Sequence, residues 1–274
     1  IITGLIIAMS SQYAIAQSIN KEKLDTYFSA LEKHNKFMGS VAIAKEGKLL
    51  YSKTIGYADN AKKVKATDDY KYRVGSISKT FTAVMVLQAV EQEKLGLETT
   101  LNTYFPTIKN ANKITVAQLL NHRSGVHSFT DDASYLNWNT AAKTEQQMLS
   151  IIEKGGSDFE PDSKAAYSNS NYVLLSYILE KVYNDSYGAI LQKNIIKPIN
   201  LKNTYLGKAI QVQNNEVKSY YYSDGWKLES ETDLSIPLGA GAIVSNPKDL
   251  ILFSEALFEG KLLQPSSLEI MKSI

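Results

Sequence analysis

Between Asn20 and His34 the apolar residues Leu24, Tyr27, Phe28 and Leu31 recur at helical spacing, and the opposite face is charged, which predicts an amphipathic helix over 20–34. Two short apolar runs follow, Gly39–Lys45 and Lys48–Tyr57, joined by Glu46-Gly47; their content and turn chemistry predict an antiparallel hairpin. The polar, lysine-rich stretch Ala58–Lys71 reads as a surface loop. From Ser76 to Lys94 the chain carries Phe81, Val84, Met85, Leu87 and Val90 without Gly or Pro, which predicts a long helix, apolar around most of its circumference and therefore central. Further helices are predicted at Val116–Asn121, Thr144–Lys154, Asn171–Tyr183, Tyr187–Asn194 and Pro247–Glu259. No repeat period and no Gly/Ser- or Pro-rich linker divides the chain, so one unit with two intertwined lobes is expected.

A chain of 274 residues can bury roughly 75% of its unfolded surface, enough for a real core. Its 30 basic and 28 acidic residues are interspersed and leave a net charge of +2, so there is no concentrated field for a phosphate backbone and no nucleic-acid partner is expected. Cysteine is absent, which removes disulfides, thiolate metal sites and a cysteine nucleophile. The only histidines are His34, His122 and His127. The first is far in sequence from the other two, so neither a metal nor a cofactor is expected.

At the N-terminus the apolar run Leu5–Met9 and then Ala14-Ile15-Ala16 before Gln17 have the form of an export signal with a small-x-small cleavage site. An ordinary buried helix start is the alternative. The apolar part is shorter than the roughly 20 residues a membrane span needs, and no Cys follows for a lipid anchor. The expectation is a partial signal peptide over 1–16, a single domain over 17–274, no stable membrane span, and an exported protein, periplasmic or extracellular.

No G-x-S-x-G elbow, Walker loop or complete G-x-G-x-x-G occurs; Gly239-Ala240-Gly241 lacks the third glycine. What remains is Ser76-Ile77-Ser78-Lys79 at the first turn of the central helix. A spacing of three places both side chains on one face. A serine hydroxyl becomes a nucleophile when a neighbouring base takes its proton, and a lysine can serve once burial lowers its pKa. The helix N-terminus adds positive field and backbone N–H donors for an oxyanion. Helix capping is the competing role for Ser76. The same S-x-x-K spacing recurs at Ser18–Lys21 and Ser245–Lys248, both read as structural: Ser18 as a helix cap, and Ser245-Asn246-Pro247 as an N-cap followed by an early helical proline.

A second element, Tyr167-Ser168-Asn169, is read as lying on a loop before a helix. A phenol held beside ammonium or helix-end charge can act as a phenolate base, and an Asn amide can bind a substrate amide through both its groups. Tyr135-Leu136-Asn137 is the decoy, in a segment with Trp138 that resembles a substrate-side loop; its leucine is assigned to packing.

Together, Gly75-Ser76-Ile77-Ser78-Lys79-Thr80-Phe81-Thr82-Ala83 and Tyr167-Ser168-Asn169-Ser170-Asn171-Tyr172 resemble the first and second motifs of the class C beta-lactamase and serine-type D-Ala-D-Ala carboxypeptidase family of penicillin-recognising hydrolases. Leu119–Gly125, Pro198–Thr204 and Gly239–Leu257 resemble further stretches of it, so the likeness spans nearly all of Gly39–Met271. The resemblance implies an α+β, beta-lactamase/transpeptidase-like fold, an antiparallel sheet flanked by helices beside a mainly helical lobe. It implies acyl-enzyme chemistry in which Ser76 attacks a carbonyl, Lys79 and Tyr167 pass protons and Asn169 orients the substrate. No S-D-N tripeptide lies in the interval that a class A arrangement would need. The family's third motif, K-T-G or H-x-G, is not found in order; Lys154-Gly155-Gly156 precedes Tyr167. That motif and the C-terminal strands are expected beyond Ile274. Without that strand the chain is expected to be severely impaired, losing about 10² to 10³ in rate with one oxyanion donor, and to expose sheet edges.

The expected activity is hydrolysis of a beta-lactam, a D-Ala-D-Ala-type peptide or a small ester, so the partner is a small molecule or peptide; the sequence leaves oligomeric state open. A non-catalytic cell-wall-peptide or beta-lactam binding or sensor module of the same fold is the alternative. Tyr220-Tyr221-Tyr222 with Trp226 is read as packing rather than a pocket wall, and His122 as hydrogen-bonded within its own loop.

Overall fold

In a computed structural model, residues 19–273 are described; the expected export signal and Ser18 lie outside them. Asn20 caps helix α1 (Lys21–Lys33), its side chain accepting the Lys23 N–H at 2.9 Å. The helix lies on the first hairpin, with Phe28 stacked on Tyr51 at 6.1 Å. None of its residues is buried, because it covers only a two-stranded ribbon. That ribbon is β1 (Gly39–Lys45) paired antiparallel with β2 (Lys48–Ile55), Gly39 opposite Ile55. Glu46 and Gly47 take φ of 51° and 73°, the left-handed pair that lets a two-residue turn match the strand twist. β1 pairs with no second strand among the described residues.

The second strand stops at Ile55, two residues short of the expected Tyr57. After Gly56, β3 (Tyr57–Asp59) pairs with β4 (Val64–Lys65) inside the stretch expected to be a plain loop. Ala58 and Tyr70 there form a small core with Val217, apolar anchors that the surrounding lysines concealed.

β5 (Tyr72–Arg73) leads into a 3-10 turn at Gly75–Ile77, and helix α2 runs Ser78–Glu91, so the α-helix starts two residues later than expected. Thr115 and Thr144 make capping boxes with Gln118 and Gln147 before α3 (Val116–Leu120) and α4 (Glu145–Gly155). α5 (Asn169–Tyr183) begins two residues before the expected start. α6 (Tyr187–Leu191) continues as a π turn over Gln192–Ile196, past the expected Asn194.

β6 (Tyr205–Leu206) is followed by the hairpin β7 (Tyr220–Tyr222) and β8 (Trp226–Leu228). β9 (Ile243–Ser245) is the middle of a three-stranded antiparallel sheet, with Tyr72 opposite Ser245 and Tyr205 opposite Val244. Asn246, accepting the Asp249 N–H at 2.9 Å, caps α7 (Pro247–Phe258), which ends one residue short of the expected Glu259. α8 (Pro265–Lys272), too short for its period to stand out, was not anticipated.

The described residues thus form helices beside small antiparallel sheets, the largest of three strands. The core sits between α2 and α5, buried over Phe81–Ala89 and Ser170–Leu179. Phe81 stacks on Phe253 of α7 with ring centres 3.7 Å apart. This packing brings the first turn of α2 to the N-terminal end of α5.

Candidate active site

The 3-10 turn leaves Ser76 exposed at the mouth of α2, while Lys79, one turn on, is only 7% exposed. The Ser76 hydroxyl meets the Tyr167 hydroxyl at 2.6 Å, and Lys79 Nζ donates to Ser76 Oγ at 3.2 Å. Lys79 Nζ also donates to Asn169 Oδ1 and to the Ala240 carbonyl, both at 2.8 Å. Those three bonds use all the protons of an ammonium. Burial pushes the Lys79 pKa down from the ordinary lysine value, and the Tyr167 hydroxyl partly offsets it. A serine oxygen bonded by both a phenol and a buried amine can lose its proton locally, without waiting for solvent.

The four residues singled out in the sequence therefore converge. The decoys do not. Ser245 is fully buried in β9, its hydroxyl bonded to Thr204 Oγ1 at 2.9 Å, and so is on a strand rather than a helix turn with Lys248. Tyr135 packs edge-on to Trp138 at 5.2 Å and against Phe129. Leu136, expected to pack, is 74% exposed, because a 3-10 turn points it away from that cluster. Asn169 is the first residue of α5 rather than a loop residue, so its amide is held at a helix start.

His122 is not bonded within its own loop. Its Nδ1 accepts the Ser168 N–H at 3.2 Å, and its ring lies 4.6 Å from that of Tyr167. Burial, and then the Lys79 charge, push its pKa down to about 4. His122 is thus neutral near pH 7 and fixes the Tyr167–Asn169 segment from behind.

Three partners were missed. The Ala240 carbonyl reaches Lys79 because Gly239 lets the bend press on α2 and α5: a Cβ there would lie 2.9 Å from Thr82 Oγ1 and 3.0 Å from the Ser176 side chain. The glycine pair around Ala240 was the only available signal. Ser128 Oγ accepts the Asn169 N–H at 3.1 Å, and Thr130 Oγ1 accepts from Asn169 Nδ2 at 2.9 Å. No spacing rule marks either residue.

Tyr220 and Trp226, read as packing, line a cavity of about 230 Å³ with Tyr57 and Tyr72, whereas Tyr221 and Tyr222 are exposed. An apolar cavity of about 370 Å³ between α2, α7 and α8 reaches Ile77 and Thr80 without including Ser76. Among the described residues no helix is long and apolar enough to cross a membrane.

The family model described as Beta-lactamase matches residues 24–273. A teichoic acid D-alanine hydrolase of Staphylococcus aureus is 29% identical over 245 residues, covering 89% of this chain and 59% of that protein. A Bacillus subtilis (strain 168) protein named for penicillin binding is 29% identical over 271 residues, covering 96% of this chain and 65% of its own length. The chain thus spans about three-fifths of these relatives. Among solved structures, the D-amino acid amidase from Ochrobactrum anthropi SV3 complexed with D-phenylalanine superposes with a TM-score of 0.79 at 27% identity, covering 90% of this chain and 74% of the other. A D-stereospecific amidohydrolase from Streptomyces sp. superposes with a TM-score of 0.75 at 30% identity, covering 88% and 74%.

Proposed function

The chain belongs to the beta-lactamase family, and on that premise we propose that it is an exported serine hydrolase that cleaves the amide or ester of a D-amino acid through a covalent Ser76 intermediate. The observation that carries this reading is the double contact on Ser76 Oγ, from Tyr167 at 2.6 Å and from Lys79 at 3.2 Å. In this reading Tyr167 enters as a phenolate beside the Lys79 ammonium, so the Ser76 hydroxyl donates to the Tyr167 oxygen. Attack on the substrate carbonyl then passes that proton to the phenolate, and the negative charge that the adjacent ammonium held on Tyr167 moves to the tetrahedral oxyanion.

The Ser76 N–H, at the N-terminal mouth of α2, supplies one donor to the tetrahedral oxyanion. Tyr167 next protonates the departing amine or alcohol, and water attacks the acyl-enzyme by the reverse route. Asn169, its Oδ1 already bonded to Lys79, stands beside the serine to orient the substrate amide. The choice of a D-configured substrate follows the names of the relatives, an amidase of D-amino acids and a hydrolase of D-alanine from teichoic acid. Beta-lactams present the same carbonyl.

The test is intact-mass and peptide-mass analysis of the full-length protein after exposure to a fluorophosphonate or a penicillin, alongside turnover of D-alanyl esters and amides. An adduct on the Ser76 peptide that is lost in Ser76→Ala supports the reading. Saturable binding with no adduct would favour the non-catalytic binding module.

A further inference from the structure

The acyl-enzyme reading uses Asn169 but leaves open what sets its amide. Two of its three polar contacts come from one segment, Ser128–Thr130, which holds its backbone N–H and its Nδ2. The same segment is tied to α5 a second time, with the His127 carbonyl accepting from Ser170 Oγ at 2.6 Å and the Phe129 N–H reaching that oxygen at 3.2 Å.

At the head of the segment the His127 ring is gripped on both nitrogens. Nδ1 lies 2.9 Å from Asp158, which follows α4, and Nε2 lies 3.3 Å from Asp132, which follows the Phe129–Asp131 turn. These are the charged groups that face it. On α4, Gly155 faces the ring; a Cβ there would stand 3.1 Å from it. Because the carboxylates lie on opposite ring nitrogens, the three groups do not converge on one point as metal ligands would.

We propose that His127, as an imidazolium bridging Asp132 and Asp158, is a positioning residue that locks the Ser128–Thr130 segment and through it the amide of Asn169. The inference rests on the Ser76 acyl-enzyme reading. An imidazolium donates from both nitrogens and a neutral ring from only one, so deprotonation releases one carboxylate and with it one anchor of the segment. Burial favours the neutral ring, but the hydrogen bonds and charges of Asp158 and Asp132 outweigh it and raise the pKa. A raised pKa places the clamped state on the acid side. The clamp is complete below the ordinary histidine range and is lost as pH rises through the raised value.

The experiment compares the full-length wild type with His127→Gln and Asp158→Asn, following turnover of a D-alanyl anilide across pH and Ser76 labelling by a fluorophosphonate. Imidazole NMR with sequence-specific assignment follows the His127 ring directly. The wild-type ring is expected to titrate above 6.5, its ordinary value. The wild-type to His127→Gln ratio of kcat/KM is expected to be about fivefold, the worth of one positioning hydrogen bond, at acid pH and to fall toward one as His127 deprotonates. In an Asn169→Ala background the His127→Gln effect should vanish.

A ring that titrates at or below 6.5 overturns the clamp even if every variant misfolds. A pH-flat ratio, or an undiminished effect without Asn169, also overturns it while Ser76 still labels. No Ser76 adduct in the wild type overturns the acyl-enzyme reading, and with it the role of the clamp.

Discussion

Replacing Tyr167 by Phe removes one oxygen and little else. The hydroxyl bonds Ser76 Oγ at 2.6 Å, whereas the ring, which Phe keeps, lies 4.6 Å from His122 and 4.8 Å from Lys79 Nζ. The residue is 53% exposed, so no buried group is orphaned, and the stability loss should stay within the roughly 0.5–1.5 kcal/mol of a single hydrogen bond. If Tyr167 takes the serine proton, acylation loses a positioned base, about 10² to 10⁴ in rate, or about 3–5 kcal/mol of barrier. Stopped-flow acylation by a chromogenic D-alanyl ester, read beside a urea unfolding curve, separates the two effects. Acylation of Tyr167→Phe at the wild-type rate with the fold intact would refute the assignment of Tyr167, whatever the fate of Ser76.

Lys79→Met should abolish labelling of Ser76. In the wild type, the acylation rate should fall as pH rises along a limb whose midpoint lies below the ordinary lysine value, as burial dictates and the ammonium is lost, and a pH–rate profile lacking that limb contradicts the role of Lys79. His122 bears on acid stability. Its pKa of about 4 against an ordinary 6.5 means the unfolded chain binds the extra proton first, so this contribution falls as pH drops from about 6.5 to about 4. Urea midpoints should fall less steeply over that window in His122→Gln. Gly239→Ala places a methyl against Thr82 and Ser176 and should cost about 1–3 kcal/mol, measured as a lower urea midpoint. Phe81→Ala, emptying the stack on Phe253, should cost about 3–5 kcal/mol by the same measurement.

What the amino-acid order determined by itself is whatever closes over a few residues. The Glu46-Gly47 turn and the apolar circumference of α2 were readable, because each is a local bond or a period along one element. Ser76 and Lys79 belong to that class, since three residues of helix place them together. Spacing by itself left open which S-x-x-K meets which Y-x-N; the family resemblance paired Ser76 with Tyr167, and the tertiary structure is what brings them together. The hydroxyls of Ser76 and Tyr167 are 91 residues apart in the chain, and they touch because the Phe81–Ala89 face of α2 packs on α5. The same packing delivers the Ala240 carbonyl to Lys79 from 161 residues away. A contact of that range is set by how buried surfaces fit, and no spacing between residues encodes it.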